Sequence, residues 1–217
     1  MDDIIIIEKP NHITWDNIHE LLLQAHKRNI KKGIISLYAQ LPGEEIEKRL
    51  GKDGRCWVAM DKDKIIGTTA VSFFIGHNWW NRNKKVAHSC FTGILQQYQG
   101  IGLVEQLDAK LIEYVRSLGV EMIQGDTAEG NRAMRKLAEL GGYKTVDYFA
   151  PKSHHYSIHF VKWYGNCPFS DKYINRRYKV SRYLTRLQYK PGKEERNWLL
   201  SKICNIARRG LEIRWTL

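Results

Sequence analysis

Residues 97–102, Gln-Tyr-Gln-Gly-Ile-Gly, separate two runs of different periodicity. Upstream, Val86 to Leu95 is rich in β-forming residues, and downstream Leu103, Leu107, Leu111, Val115 and Leu118 recur at helical spacing. A strand that turns through two glycines into a helix leaves the first-turn N–H groups without acceptors. With the positive end of the helix dipole, such donors suit phosphate oxygens. The spacing is not the dinucleotide fingerprint, which needs a third glycine, and no Gly-Lys-Ser/Thr follows as in a P-loop. On these residues alone the turn is either an anion cradle or a tight connection without a ligand.

The elements around this turn follow from local signals. Ile4 to Glu8 reads as a strand, and Thr14 caps a helix from Trp15 with Ile18, Leu21, Leu22 and Ala25 on one face. Gly43 to Leu50 is a short helix, acidic at its start and basic at its end. Cys56 to Met60 and Ile65 to Ile75 are strands joined by a turn at 61–64. After the 103–118 helix and Gly119 come a strand from Val120 to Gln124 and a helix from Ala128 to Leu140. Strands from Tyr143 to Phe149 and from His155 to Trp163 follow. This mixed order predicts an α/β layer fold of the α+β type, its sheet largely antiparallel with a parallel central crossing.

Charge is unevenly spread. Residues 1–150 carry 20 Lys/Arg against 19 Asp/Glu, and residues 151–217 carry 15 against 4. The basic end predicts an anionic partner or a solvated face. Cys56, Cys90, Cys167 and Cys204 show no metal or redox spacing, and the acidic start does not read as a signal peptide. Both point to a cytoplasmic protein with reduced thiols.

The element order and the glycine turn after the fourth strand resemble the GNAT superfamily of acyl-CoA-dependent N-acyltransferases. Gln97, Gly100 and Gly102 fit its Gln/Arg-x-x-Gly-x-Gly/Ala signature, and Asn131, Leu137, Gly142 and Tyr143 fit a second element, with Met134 in the alanine slot. The resemblance implies a GNAT-like domain over residues 1–164, with central parallel strands splayed and flanked by helices. Residues 165–217 then form a basic helical extension packing on that core. It implies acetyl-CoA or another acyl-CoA as co-substrate, an amine-bearing acceptor that the basic face would favour if anionic, and no metal. The amides of Gln97, Tyr98, Gln99, Gly100, Ile101, Gly102 and Leu103 would wrap the CoA diphosphate. The pantetheine would pair with the strand edge at Phe91, Thr92 and Ile94, with the splay near Gly93, a glycine that permits a bulge or close backbone approach. Asn131 would lie along the CoA arm, and Arg132, Arg135 or Lys136 would reach the ribose phosphate. Monomer and homodimer both fit.

Acyl transfer to an amine requires a base, oxyanion support and a proton for the thiolate. The family's usual acid, a tyrosine seven residues after the motif asparagine, is Ala138 here. Tyr143 and Tyr148 are the nearby phenols. His88, Glu121 and Asp126 are the candidate bases, and a backbone N–H near Thr92 is the candidate oxyanion donor. His154, His155 and His159 cluster, but no carboxylate or cysteine completes a metal set. Trp79 and Trp80 either wall an acceptor pocket or anchor a loop. In the tail, a helix from Ser170 to Gln188 turns Ile174, Tyr178, Leu184 and Leu187 inward and Arg176, Arg177, Lys179, Arg182 and Arg186 outward, and a second runs from Glu194 to Arg209. These helices pack on the sheet, or they bind nucleic acid or an acidic membrane surface.

Overall fold

The computed structural model describes residues 4–34, 41–150, 155–189 and 202–204. The chain forms two compact units, residues 1–76 with 83–125 and residues 77–82 with 126–217. Seven strands build a mixed α/β fold, mostly antiparallel with one parallel pair. Among the described residues no helix is long and apolar enough to cross a membrane.

The first unit contains β1 (Ile4–Glu8), α1 (Trp15–Lys31), α2 (Gly43–Leu50), β2 (Arg55–Asp61), β3 (Lys64–Ile75), β4 (Lys85–Ile94) and α3 (Leu103–Ser117). It also contains the first residues of β5 (Met122–Ala128). The strand order is β1-β2-β3-β4-β5, antiparallel up to β4 and parallel between β4 and β5. Thr14 caps α1 reciprocally: its hydroxyl accepts from the Asn17 amide at 3.2 Å, and the Asn17 side chain accepts from the Thr14 amide at 2.9 Å. A cap of this kind contributes about 1 kcal/mol. Ile18 and Leu22 of α1 bury into one cluster with Ile46, Leu50, Val58, Ala70 and Phe91. Leu103, Leu107, Leu111 and Val115 give α3 its buried stripe.

The second unit holds the end of β5, α4 (Arg132–Leu140), β6 (Lys144–Phe149), β7 (Ser157–Trp163) and α5 (Asp171–Gln188). β6 and β7 are antiparallel. Ala138, Tyr148, Ile158 and Phe160 form its core. The loop 77–82 belongs here through its tryptophans. Trp80 is 3% exposed, and Trp79 packs edge-on against Phe169 at 5.1 Å and Tyr173 at 5.4 Å, with the Arg177 guanidinium 5.1 Å from its ring. Of the two sequence readings, the packing is that of a loop anchor.

Two expectations are corrected. β5 starts at Met122 and runs to Ala128, because Val120 still closes the end of α3 through its amide bond to the Val115 carbonyl. Asp126 therefore lies within β5, and α4 begins only after Asn131, whose side chain accepts from the Met134 amide. In α5 the buried positions are Ile174, Thr185 and Gln188, while Leu187 is exposed. The helix turns hydroxyls toward β6: Thr185 donates to the Tyr148 carbonyl at 2.8 Å, and Ser181 accepts from the Tyr148 amide at 3.3 Å while donating to the Asp147 carboxylate. The second tail helix lies outside the described residues except for Lys202–Cys204, which are helical.

Gly93 adjoins the irregularity in β4, where the register with β3 shifts between Thr68, opposite Gly93, and Ala70, opposite Cys90, and Phe91 takes a left-handed φ of +51°. The glycine also admits a close approach: a Cβ there would sit 3.1 Å from both the Ala25 Cβ and the Leu22 Cδ2 of α1. Gly93→Ala is therefore expected to cost about 1–3 kcal/mol by overpacking α1 against β4. Urea denaturation reads this directly, and an unchanged midpoint would show that α1 yields freely.

Candidate active site

β4 ends at Ile94, and the following amide, Leu95, donates to the Ile66 carbonyl at 2.9 Å. One turn of 3₁₀ helix at Gln96–Tyr98 follows. Two side chains hold this turn. The Tyr98 hydroxyl donates to the Asp61 carboxylate at 2.6 Å, and the Gln99 amide donates to the Ile94 carbonyl at 3.0 Å. Donation to Asp61 also keeps the phenol protonated, its pKa above the ordinary tyrosine range. Gln97 and Gly100 are exposed.

Gly100 and Gly102 have φ of +84° and +83°, a conformation that costs an L side chain roughly 1–2 kcal/mol. A Cβ on either would meet nothing within 4 Å, so the bend is open on the side where side chains would project. Gly102 is the N-cap of α3 and supplies no side-chain cap. The first helical bond runs from the Gln106 amide to the Gly102 carbonyl, so the amides of Leu103, Val104 and Glu105 precede the intrahelical ladder. An open, uncapped helix start carrying a positive partial charge is suited to diphosphate oxygens. The residues present fit the CoA group that the sequence implies.

The parallel ladder between β4 and β5 contains two pairs, Ala87 opposite Ile123 and His88 opposite Gln124. β4 then continues from Ser89 to Ile94 with no further pair to β5 among the described residues. The expected splay thus begins just after His88, ahead of Gly93. On its other side β4 stays paired to β3, with Thr69 accommodated by the shift opposite Phe91 and Thr92. The Phe91 ring is buried in the first unit's core, and Ile94 is buried as well. These residues can therefore offer a ligand backbone rather than side chain. Thr92 is held twice, by a 2.8 Å hydroxyl bond to Thr69 and by His26 Nε2, 2.9 Å from its carbonyl oxygen.

His88 stands at the last paired position of the ladder, its ring tilted against Phe74 at 6.2 Å. Glu121 precedes β5 at the paired end of the ladder. It forms a 2.8 Å ion pair with Lys84, which bonds to its carboxylate and holds its pKa below the usual range. Asn131, Arg135 and Tyr143 belong to the second unit. The Asn131 side chain caps α4 and donates to Thr127 at 3.1 Å, and Arg135 donates to the Glu129 carbonyl at 3.2 Å. Tyr143 packs edge-on against Phe160 at 5.4 Å. Ala138 is buried beside Tyr148. Burial, and donation to Glu129 at 2.7 Å, push the Tyr148 phenol up to about 12. It is accordingly a fixed donor to Glu129.

Among the described residues no set of three His, Cys, Asp or Glu could hold a metal. His159 stacks on Phe149 at 4.2 Å, and His154 lies outside the described residues. His26 and Thr69, which hold Thr92, are contacts that sequence reasoning missed. His26 falls on the stripe Ile18, Leu22, His26, four residues apart, and a polar group on a buried stripe needs a partner.

Comparison with known proteins gives these features a family. The Acetyltransferase (GNAT) family model matches residues 15–142, and the chain belongs to that family. An acetyltransferase structure from Streptococcus agalactiae is similar at 21% identity and a TM-score of 0.58, covering 75% of this chain and 99% of its own. A GNAT-family acetyltransferase from Staphylococcus aureus has 18% identity and a TM-score of 0.58 over the same shares. One from Elizabethkingia anophelis, solved with acetyl-CoA bound, has 15% identity and a TM-score of 0.52, covering 75% and 99%. At these identities the likeness is one of fold. No curated protein matches the sequence at a significant level.

The His26 geometry makes a pH prediction. Burial lowers the pKa of this imidazole below the ordinary histidine value, and the bond to Thr92 offsets that only in part. In the unfolded chain the ring takes up its proton near pH ~6.5. Below that pH the unfolded state binds more protons, so the contribution to stability is complete above it and is lost on acidification. Between about pH 7.5 and about pH 5.5, the urea midpoint of His26→Gln should therefore fall less than that of the wild type. Equal falls would show that the native imidazole titrates as an exposed one does.

Proposed function

We propose that this protein is an acetyl-CoA-dependent N-acetyltransferase that acetylates a primary amine by direct attack within a ternary complex. One observation carries the reading: the glycine-lined helix start of α3 follows, along the same chain segment, the part of β4 that lies beyond its ladder with β5. A diphosphate on the amides of residues 97–103 would send the pantetheine arm back along Phe91, Thr92 and Ile94. Its amides can pair with strand backbone as a neighbouring strand would. Acetyl-CoA as the donor is supported by the acetyl-CoA-bound neighbour.

In the reaction the amine nitrogen bonds to the thioester carbon, the C–S bond breaks, and the thiolate departs. We assign the base to His88, because an imidazole suits proton removal near neutral pH and His88 stands where the ladder ends. A backbone N–H near Thr92 meets the negative charge developing on the carbonyl oxygen. With Ala138 in the tyrosine slot, water returns the proton to the thiolate. Glu121, tied to Lys84, and Tyr143, packed on Phe160, contribute charge and packing in this scheme. Ala138 also favours a second reading, a CoA-binding module of this fold with little turnover.

Two measurements separate these readings. By calorimetry the wild type should bind acetyl-CoA, and Gly102→Val should weaken that binding by about tenfold or more, a loss of about 1.4 kcal/mol. Unchanged affinity would remove the cradle from the scheme. In a thiol-release assay across an amine panel, His88→Gln should lower kcat by about 10²–10⁴ while leaving the acetyl-CoA Kd unchanged. Wild-type protein that binds acetyl-CoA yet releases no thiol with any amine would establish the second reading.

A further inference from the structure

We infer that the outer edge of β1 is a self-association surface. A second copy of this chain adds its own β1 antiparallel to it, about a two-fold axis at Ile6.

β1 ends the strand order, with β2 on one side and, among the described residues, no strand on the other. Its ladder with β2 fixes which backbone groups face outward. The Lys9 amide donates to the Cys56 carbonyl at 2.7 Å, so these two residues form a hydrogen-bonded pair. In an antiparallel ladder such pairs alternate with pairs that do not bond. Ile7 opposite Val58 and Ile5 opposite Met60 therefore also bond to β2. Ile4, Ile6 and Glu8 turn their N–H and C=O groups to the outer edge.

An edge of this kind is normally guarded by a lysine, a proline or a bulge. β1 is four isoleucines and a glutamate, and its ladder with β2 runs without a register shift. The charges beside it are engaged elsewhere. Glu8 pairs with Arg55 at 3.2 Å, and Lys9 Nζ donates to the Ile13 carbonyl at 2.7 Å. Ile5 and Ile7 are 54% and 37% exposed, although the residues opposite them, Met60 and Val58, are buried in the first unit's core. Charge does not oppose association at this edge: residues 1–150, which include β1, carry 20 Lys/Arg against 19 Asp/Glu.

The strand is complementary to itself. With Ile6 opposite the partner's Ile6, Ile4 falls opposite the partner's Glu8 and Ile5 opposite the partner's Ile7. The outward groups of Ile4, Ile6 and Glu8 then meet in hydrogen-bonded pairs, each exchanging both of its bonds. Ile5 and Ile7 fall in the closer pairs that do not bond, where apolar side chains stabilise a sheet most directly. Val58, Ile7, the partner's Ile5 and the partner's Met60 form one apolar row across the junction. A slide of two residues either way leaves two residues of each β1 with no strand residue opposite, so the pattern selects this register. The contact is one short strand, well below the size of a permanent interface, and a Kd of about 1–100 µM is expected.

Sedimentation of the full chain should show a monomer–dimer equilibrium in that range. Between about 1 µM and about 500 µM protein, exchange of the Ile6 and Glu8 amides should slow about threefold or more, while the Ile5 and Ile7 amides, bonded to β2 throughout, should not respond. Ile6→Pro removes an outward N–H, which an edge strand tolerates, and should raise Kd about tenfold or more. Ile5→Lys and Ile7→Glu, at exposed positions, should each do the same. Mixing those two variants should restore association, because the register sets the replaced side chains opposite each other. If Ile6→Pro does not fold, this exposed pair carries the test. Wild-type protein that stays monomeric to about 500 µM would overturn the inference. So would a dimer whose Kd is the same in all three variants, since its interface would lie elsewhere. Variants that weaken the dimer singly but do not associate when mixed would overturn the register about Ile6.

Discussion

β4 must behave as an interior strand toward β3 and as a strand end toward β5. Its bonds to β3 run from Lys85 to Ile94, while its ladder to β5 stops at His88. Backbone groups beyond the end of a ladder require partners, since leaving a buried one unsatisfied costs about 1–3 kcal/mol. In the proposed function an extended amide-bearing arm supplies them. The glycine turn lets the chain leaving β4 double back into α3, which packs on β2, β3 and β4. The left-handed Phe91 and the hold on Thr92 keep the other flank in register while this happens.

The second unit solves a different problem. α5 approaches β6 with Ser181 and Thr185, whose hydroxyls satisfy the Tyr148 amide and carbonyl. The inner face of α5 is mixed, with Ile174 buried and Tyr178 packed on the core beside these hydroxyls, while Leu187 is exposed. The same packing brings Arg182 and Arg186 to Glu129, at 3.2 Å and 2.9 Å, and Glu129 in turn accepts from Tyr148. Two of the tail's arginines thus close a network within the unit. The basic surface left on α5 for any anionic partner is narrower than the charge count suggests.

Where a feature depends on neighbours in sequence, the residues reveal it. The Thr14 cap, the polarised α2, the 61–64 turn and the glycine bend before α3 all fall where their local chemistry places them. Features that depend on what lies across the fold are read less well. Gly93 suggests a bulge or a close approach and adjoins an irregularity in β4, but which residues approach it, Leu22 and Ala25 on a helix nearly seventy residues earlier, does not show in the sequence. β5 extends through Gly125 and Asp126, poor strand formers that tertiary pairing overrides. On α5, apolar periodicity finds Ile174 and Tyr178 but not Thr185, whose hydroxyl faces strand backbone. At the site, the open bend before α3 is legible because glycines advertise it. The hold on Thr92 is only half legible, since His26 reaches it from a distant helix and shows in the sequence merely as a polar residue on an apolar stripe. The pairing of Glu121 with Lys84, far away along the chain, does not show in the sequence at all.

The seating of Trp79 and Trp80 has a consequence for biogenesis. Their loop leaves the ribosome with β3 and β4, but the rings that enclose Trp79, those of Phe169 and Tyr173, come from near the end of the chain. At about 5–20 residues per second, the β3–β4 hairpin can close several seconds before its tip has anything to dock against. For that interval two indoles project from a half-made protein. Until Phe169 and Tyr173 emerge, the Trp79 ring lacks the two rings on which it packs.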